Sequence, residues 1–117
     1  ESGMSFDEIS EMYRVSDLVV YPSYYEGQGL IPLEAMSSGT PVVTVDNGPL
    51  PEMVDSSVGA LFELGSVDSL SEVIASEISS SECLLQKGAQ GRQRVLDSFT
   101  LEGNAERFLE VYRRACR

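Results

Sequence analysis

The chain has 117 residues, 42% apolar and 23% charged, which suits one domain with a core of its own. Eight basic residues stand against nineteen acidic ones, a net charge of −11, so neither a nucleic acid nor an anionic membrane surface is an expected partner. There is no histidine, which removes a Ser-His-Asp triad, a Cys–His pair and a histidine metal site from consideration.

The opening residues ESGMSFDEIS lack the character of a secretion signal, and no apolar run reaches bilayer length. The expectation is a cytoplasmic protein, with membrane association of a longer parent left open. SFDEISEMYRV places Phe6, Ile9, Met12 and Tyr13 at helical spacing, with Ser5 as N-cap and Glu8 three places on. DLVVYPS is a short apolar strand stopped by Pro22. LIPLEAMSSG is a helix that tolerates Pro32 in its first turn and ends at Gly39.

A second strand, TPVVTVD, precedes a helical turn at LPEMV, and GALFEL is a third strand. SVDSLSEVIASEI is a helix with Leu70, Val73, Ile74 and Ile78 on one face. The serine-rich SEISSSE connects it to a helix over Glu82 to Asp97, and a last helix runs from about Leu101, marked by Phe108, Leu109, Val111 and Tyr112. Cys83 and Cys116 have neither metal nor redox spacing, so buried or half-buried thiols in predicted helices are expected. Short, wholly apolar strands alternating with helices predict an α/β fold, a three-stranded parallel sheet with helices on both faces. Three strands are few and the chain begins on a helix, so residues 1–117 are expected to be the later portion of a larger, Rossmann-like domain.

The stretch YEGQGLIPLE, from Tyr25 to Glu34, lies between the first strand and the next helix. Ligands of open α/β sheets sit beyond the carboxyl ends of the strands, where this loop falls. The helix beginning near Gly29 offers free N–H groups and a positive dipole end to a phosphate, and Gly27 and Gly29 allow close main-chain approach. Glu26 and Glu34 can border one cleft on opposite sides of that phosphate, each accepting hydrogen bonds from a vicinal diol. A phosphate between two diols describes a nucleotide sugar. Acid–base catalysis by paired carboxylates competes with this but fits less well, because a helix N-terminus keeps carboxylates ionised. A plain turn, with Glu26 capping the helix and Glu34 solvated, accounts for the spacing equally well.

Tyr21, Tyr24 and Tyr25 surround the loop and are expected to pack at the strand end rather than stack on a base. Glu52 is read as a cap of its helical turn, and Asp46 as a loop cap.

The segment SDLVVYPSYYEGQGLIPLEAMSSGTPVVTVDNGPLPEMV, Ser16 to Val54, resembles the signature region of retaining nucleotide-sugar glycosyltransferases of GT-B fold, group 1 or family 4 type. Glu26 and Glu34 match the family's Glu–seven residues–Glu motif; PLEAM, SSGTPVV and Pro51-Glu52 match its surroundings, and SFTLEGNAERFLEVYRRA is loosely similar to its closing helix. The resemblance implies that residues 1–117 are the C-terminal portion of the donor-binding domain. It assigns donor-sugar hydroxyls and the catalytic role to Glu26, the sugar and diphosphate to the main chain of Gly27, Gln28, Gly29 and Leu30, and the ribose to Glu34. Gln28 stands where an aromatic is usual, which bears on donor choice, and Pro49 stiffens DNGPLPE in place of a second glycine.

The implied reaction transfers a sugar from a nucleotide diphosphate to a sugar or lipid acceptor with anomeric configuration kept. The acceptor is bound by an N-terminal domain outside this segment, and no metal or other cofactor is expected within it. Positioned cations must neutralise the departing diphosphate, and the basic residues here do not supply them, so the segment alone is expected to be inactive. A nucleotide-sugar-binding or interaction module without activity, and an epimerase of the same architecture, are the alternatives. A receiver-like domain is disfavoured, since of the aspartates only Asp46 sits at a strand end. The strand over Leu18 to Tyr21 is expected to present a bare edge and to pair with a second copy of the chain.

Overall fold

The computed structural model describes residues 3–116. Helix α1 (Phe6–Val15) begins with a reciprocal cap: Ser5 Oγ accepts from Glu8 N–H at 3.3 Å, and Glu8 Oε2 accepts from Ser5 N–H at 2.7 Å. Strand β1 (Val19–Tyr21) leads through the glutamate-bearing loop into α2 (Leu30–Ser37). That helix stops where Gly39 takes φ 85°, a left-handed conformation that a side chain would strain. Then come β2 (Val42–Val45), the single turn α3 (Leu50–Met53) and β3 (Gly59–Phe62). The helices α4 (Val67–Glu77), α5 (Ser81–Ser98) and α6 (Leu101–Ala115) complete the chain, capped by the hydroxyls of Ser66, Ser80 and Thr100.

Among the described residues the three strands form one parallel sheet in the order β1-β2-β3. Val19 lies opposite Val42, and Val42 opposite Gly59. Every residue of β2 is buried, as its VVTV sequence requires of a central strand covered on both faces. Buried Thr44 satisfies its hydroxyl on Tyr21 O at 3.0 Å, which ties β2 to β1 through a side chain as well as the ladder. β1 is an edge strand of this sheet, and Val20 on it is 38% exposed.

The core joins α2 to β2 and α3, with Met36, Val43, Val45, Leu50 and Val54 almost wholly enclosed. Helix α5 packs against the end of α2 closely enough that a Cβ on Gly88 would stand 2.0 Å from Gly39 O. Lys87 Nζ reaches from α5 to Gly59 O at 3.1 Å and pairs with Glu77 of α4 at 2.6 Å, pinning the start of β3. Arg94 similarly binds Met53 O at 3.0 Å and Asp55 at 2.8 Å, fixing the turn before β3.

The periphery departs from the sequence expectations. Cys83, in the first turn of α5, and Cys116, the C-cap of α6, are both exposed rather than buried, because no described residue covers them. Phe6 and Met12 of α1 face outward while Ile9 and Tyr13 are half-buried. The final helix forms, yet no residue of α6 is buried, and Phe108, Leu109, Val111 and Tyr112 are exposed.

Candidate functional site

The site begins at the carboxyl end of β1. Tyr21, its last residue, donates its phenol to Glu26 Oε1, and Ser23 Oγ lies 3.0 Å from the same oxygen. The Tyr21 bond above all, then Ser23 and to a lesser degree Gly29 N–H, holds the Glu26 carboxyl below the usual carboxylate range. The same bond raises the Tyr21 phenol. Glu26 is therefore an anion whose second oxygen, Oε2, retains capacity to accept from hydroxyl donors.

Glu34 lies one turn into α2, exposed, with Oε2 accepting from the Tyr13 phenol at 3.2 Å. Partial burial first, then the Glu34 carboxylate, raises the Tyr13 phenol, and Tyr21 is near enough to raise it further. Each carboxylate is thus held by a phenol, Glu34 by Tyr13 and Glu26 by Tyr21.

Between them runs the loop. Gly27 and Gln28 are exposed, and Leu30 is 60% exposed. Gly29 is buried as the N-cap of α2 at φ 82°, and a Cβ there would meet Leu50 Cδ2 and Met53 Cε at 2.8 Å. No side chain caps α2, and Pro32 contributes no N–H, so the first amides of the helix are left for something outside it. Asn47, just after β2, donates to Tyr24 O at 3.1 Å and fixes the loop to the neighbouring strand end.

Glu26, Gly27, Gln28, Gly29, Leu30 and Glu34 thus come together at one end of the sheet, but not around one enclosed cavity. A hollow of about 160 Å³ bordered by Glu34, Tyr13, Ile9 and Ser37 does not reach Glu26. A second, of about 250 Å³, lies beside Ser23 beyond the ends of β2 and β3, against Phe62, Leu64 and Leu70.

Three readings are corrected. Glu26 does not cap α2, since it accepts from neither Leu30 nor Ile31 N–H; Tyr21 and Ser23 are its side-chain partners, with Gly29 N–H a weaker one. Glu52 does not cap α3, whose N-cap is Pro49. Tyr24 and Tyr25 are 71% and 89% exposed, because the loop lifts them off the strand end, and only Tyr21 is half-buried there. Tyr13, Tyr21 and Ser23 gain roles as partners of the glutamates that spacing did not reveal. For Tyr13 no local signal exists, since it lies 21 residues from its partner.

A three-stranded parallel sheet flanked by helices is the architecture of GT-B glycosyltransferase C-terminal domains. Residues 2–94 match the model of the family described as Glycosyl transferases group 1, and the chain belongs to that family. It is 34% identical over 116 residues to the MMP alpha-(1->4)-mannosyltransferase of Mycolicibacterium hassiacum, covering 97% of this chain and 28% of that protein. Sucrose-phosphate synthase from Thermosynechococcus elongatus superposes with TM-score 0.81 at 31% identity, over 89% of this chain and 26% of that one. S. aureus TarM, in a structure with UDP among its ligands, superposes with TM-score 0.76 at 28% identity, over 88% of this chain and 21% of that one. Among the described residues no helix is long and apolar enough to cross a membrane.

Proposed function

We propose that residues 1–117 supply part of the donor site of a glycosyltransferase that uses a nucleotide-diphosphate sugar and retains anomeric configuration. The observation that carries the reading is the pair of tyrosine-held carboxylates, Glu26 and Glu34, on either side of the uncapped start of α2. Glu26 accepts from donor-sugar hydroxyls, Glu34 from the ribose diol, and the main chain from Gly27 to Leu30 approaches the sugar and diphosphate. Retention follows from departure and attack on one face. The bond from anomeric carbon to phosphate oxygen breaks, the acceptor oxygen forms its bond to that carbon, and the departing diphosphate takes the acceptor's proton.

The cations that neutralise that diphosphate come from outside these residues. Support lies in how four of the eight basic side chains are engaged: Lys87 with Glu77, Arg94 with Asp55, Arg114 with Glu110, and Arg92 with Ser37 O. The segment spans 28% of its mannosyltransferase relative, so acceptor binding belongs to the remainder and the segment alone turns nothing over. Leu18 to Tyr21, as the edge of the described sheet, is the surface through which two copies of the segment pair.

The test is a calorimetric panel of nucleotide diphosphates and their sugars against the full-length protein and its Glu26→Ala and Glu34→Ala variants. Glu34→Ala is expected to weaken free nucleotide and sugar nucleotide alike, and Glu26→Ala only the sugar nucleotide. Unchanged affinities in both variants would overturn the assignment.

A further inference from the structure

Among the described residues Glu26 is the one carboxylate with two side-chain hydroxyls on a single oxygen. Tyr21 ends β1 half-buried, its backbone fixed by pairing with Thr44 and by the bond from Thr44 Oγ1. Pro22 restricts the next φ, and Ser23 follows with its hydroxyl 3.0 Å from Glu26 Oε1 and 3.1 Å from Tyr25 O. Ser23 has one proton to share between those acceptors, so the Tyr21 phenol, with no other acceptor on it, is the firmer partner. A glutamate in a loop loses much rotamer freedom when it must meet a ligand, and a holder anchored in a strand removes that cost before the ligand arrives.

We propose that Tyr21 and Ser23 are positioning residues for Glu26: they occupy Oε1 and leave Oε2 as the acceptor for the hydroxyls of the donor's sugar. This rests on the donor-site reading above and goes beyond it by naming what fixes sugar recognition. Because an ionised carboxylate accepts only, two donors on one oxygen do not exhaust it; they set its orientation. The nucleotide half of the donor lies with Glu34 and does not depend on this pair.

The experiment titrates UDP, UDP-glucose, GDP and GDP-mannose into the full-length protein and its Tyr21→Phe, Ser23→Ala, Ser23→Thr and Glu26→Gln variants. Unfolding midpoints are matched first. Tyr21→Phe deletes one hydroxyl and is expected to weaken the preferred sugar nucleotide by about tenfold, the worth of a hydrogen bond to a charged group, with the bare nucleotide unchanged. Ser23→Ala is expected to weaken it less, and Ser23→Thr, which keeps the hydroxyl, to restore it. In a Glu26→Gln background Tyr21→Phe should add nothing, a coupling that a merely structural tyrosine would not show.

If Tyr21→Phe fails to fold, Ser23→Ala against Ser23→Thr carries the same comparison. Wild-type affinity in Tyr21→Phe beside weakened Glu26→Gln overturns the positioning role alone, as does an equal loss for nucleotide and sugar nucleotide. Sugar-nucleotide affinity untouched by Glu26→Gln, or a wild type that binds none of the four, overturns the positioning role together with the donor-site reading.

Discussion

Gly29 couples the fold to the site, and replacing it tests both. At φ 82° an alanine would pay the left-handed penalty of about 1–2 kcal/mol. Its Cβ would also stand 2.8 Å from Leu50 Cδ2 and Met53 Cε, and those residues are 1% and 3% exposed, so neither can swing into solvent. Overpacking of this kind costs about 1–3 kcal/mol. Together the two effects predict a loss of about 2–5 kcal/mol, a large share of the 5–15 kcal/mol typical of a whole domain. Gly27→Ala is the control, since a Cβ there meets nothing within 4 Å and the residue has no positive φ. Its stability should stay within about 0.5 kcal/mol of wild type, while sugar-nucleotide affinity falls because the main chain can no longer approach the ligand. Urea unfolding and calorimetric titration of both variants make the comparison. Equal stability of Gly29→Ala and Gly27→Ala would refute the packing argument, and unchanged binding in Gly27→Ala would refute the close-approach argument.

Further outcomes follow from the ion pairs and the sheet edge. Lys87→Met leaves Glu77 unpaired at a site where the two side chains are 14% and 10% exposed, and should cost about 3 kcal/mol in urea unfolding; Lys87→Met with Glu77→Leu should recover most of it. Asp55 is held down to about 2 from 3.8 by Ser57 first and Arg94 next. Its folded value lies below its unfolded one, so the stabilisation is complete above 3.8 and is lost as pH falls through about 2. The shift corresponds to about 2.5 kcal/mol, but Asp55 is 54% exposed and screening reduces this to about 1 kcal/mol, to be read as the part of the acid limb missing from Asp55→Asn. Val20→Lys on the edge of β1 should convert a concentration-dependent dimer of the segment to monomer in sedimentation equilibrium; a wild-type segment that stays monomeric at high concentration refutes edge pairing.

The regular elements were legible because their signals are local. Ser5 with Glu8, the β-branched VVTV run and the Gly39 stop each act within a few residues, and each appears in the structure where the sequence puts it. Burial at the periphery was not legible, since it depends on what covers a helix face: Cys83 and the apolar residues of α6 stand open although their spacing suits a packed helix. The six candidate site residues were named from a glycine-bearing loop between strand and helix together with the family motif, and the structure places them at one end of the sheet. Their tyrosine partners were not named as such, because Tyr13 reads as an ordinary helical apolar residue and Tyr21 as strand-end packing until the chain closes in three dimensions.

The most direct measurement is a crystal structure of the full-length protein with a nucleotide-diphosphate sugar bound. The account predicts the Glu34 carboxylate within hydrogen-bond distance of the ribose diol, Glu26 Oε2 on a sugar hydroxyl, and the diphosphate against the amides that open α2. A nucleotide seated away from α2, with both carboxylates still turned to their tyrosines and nothing else, would contradict it.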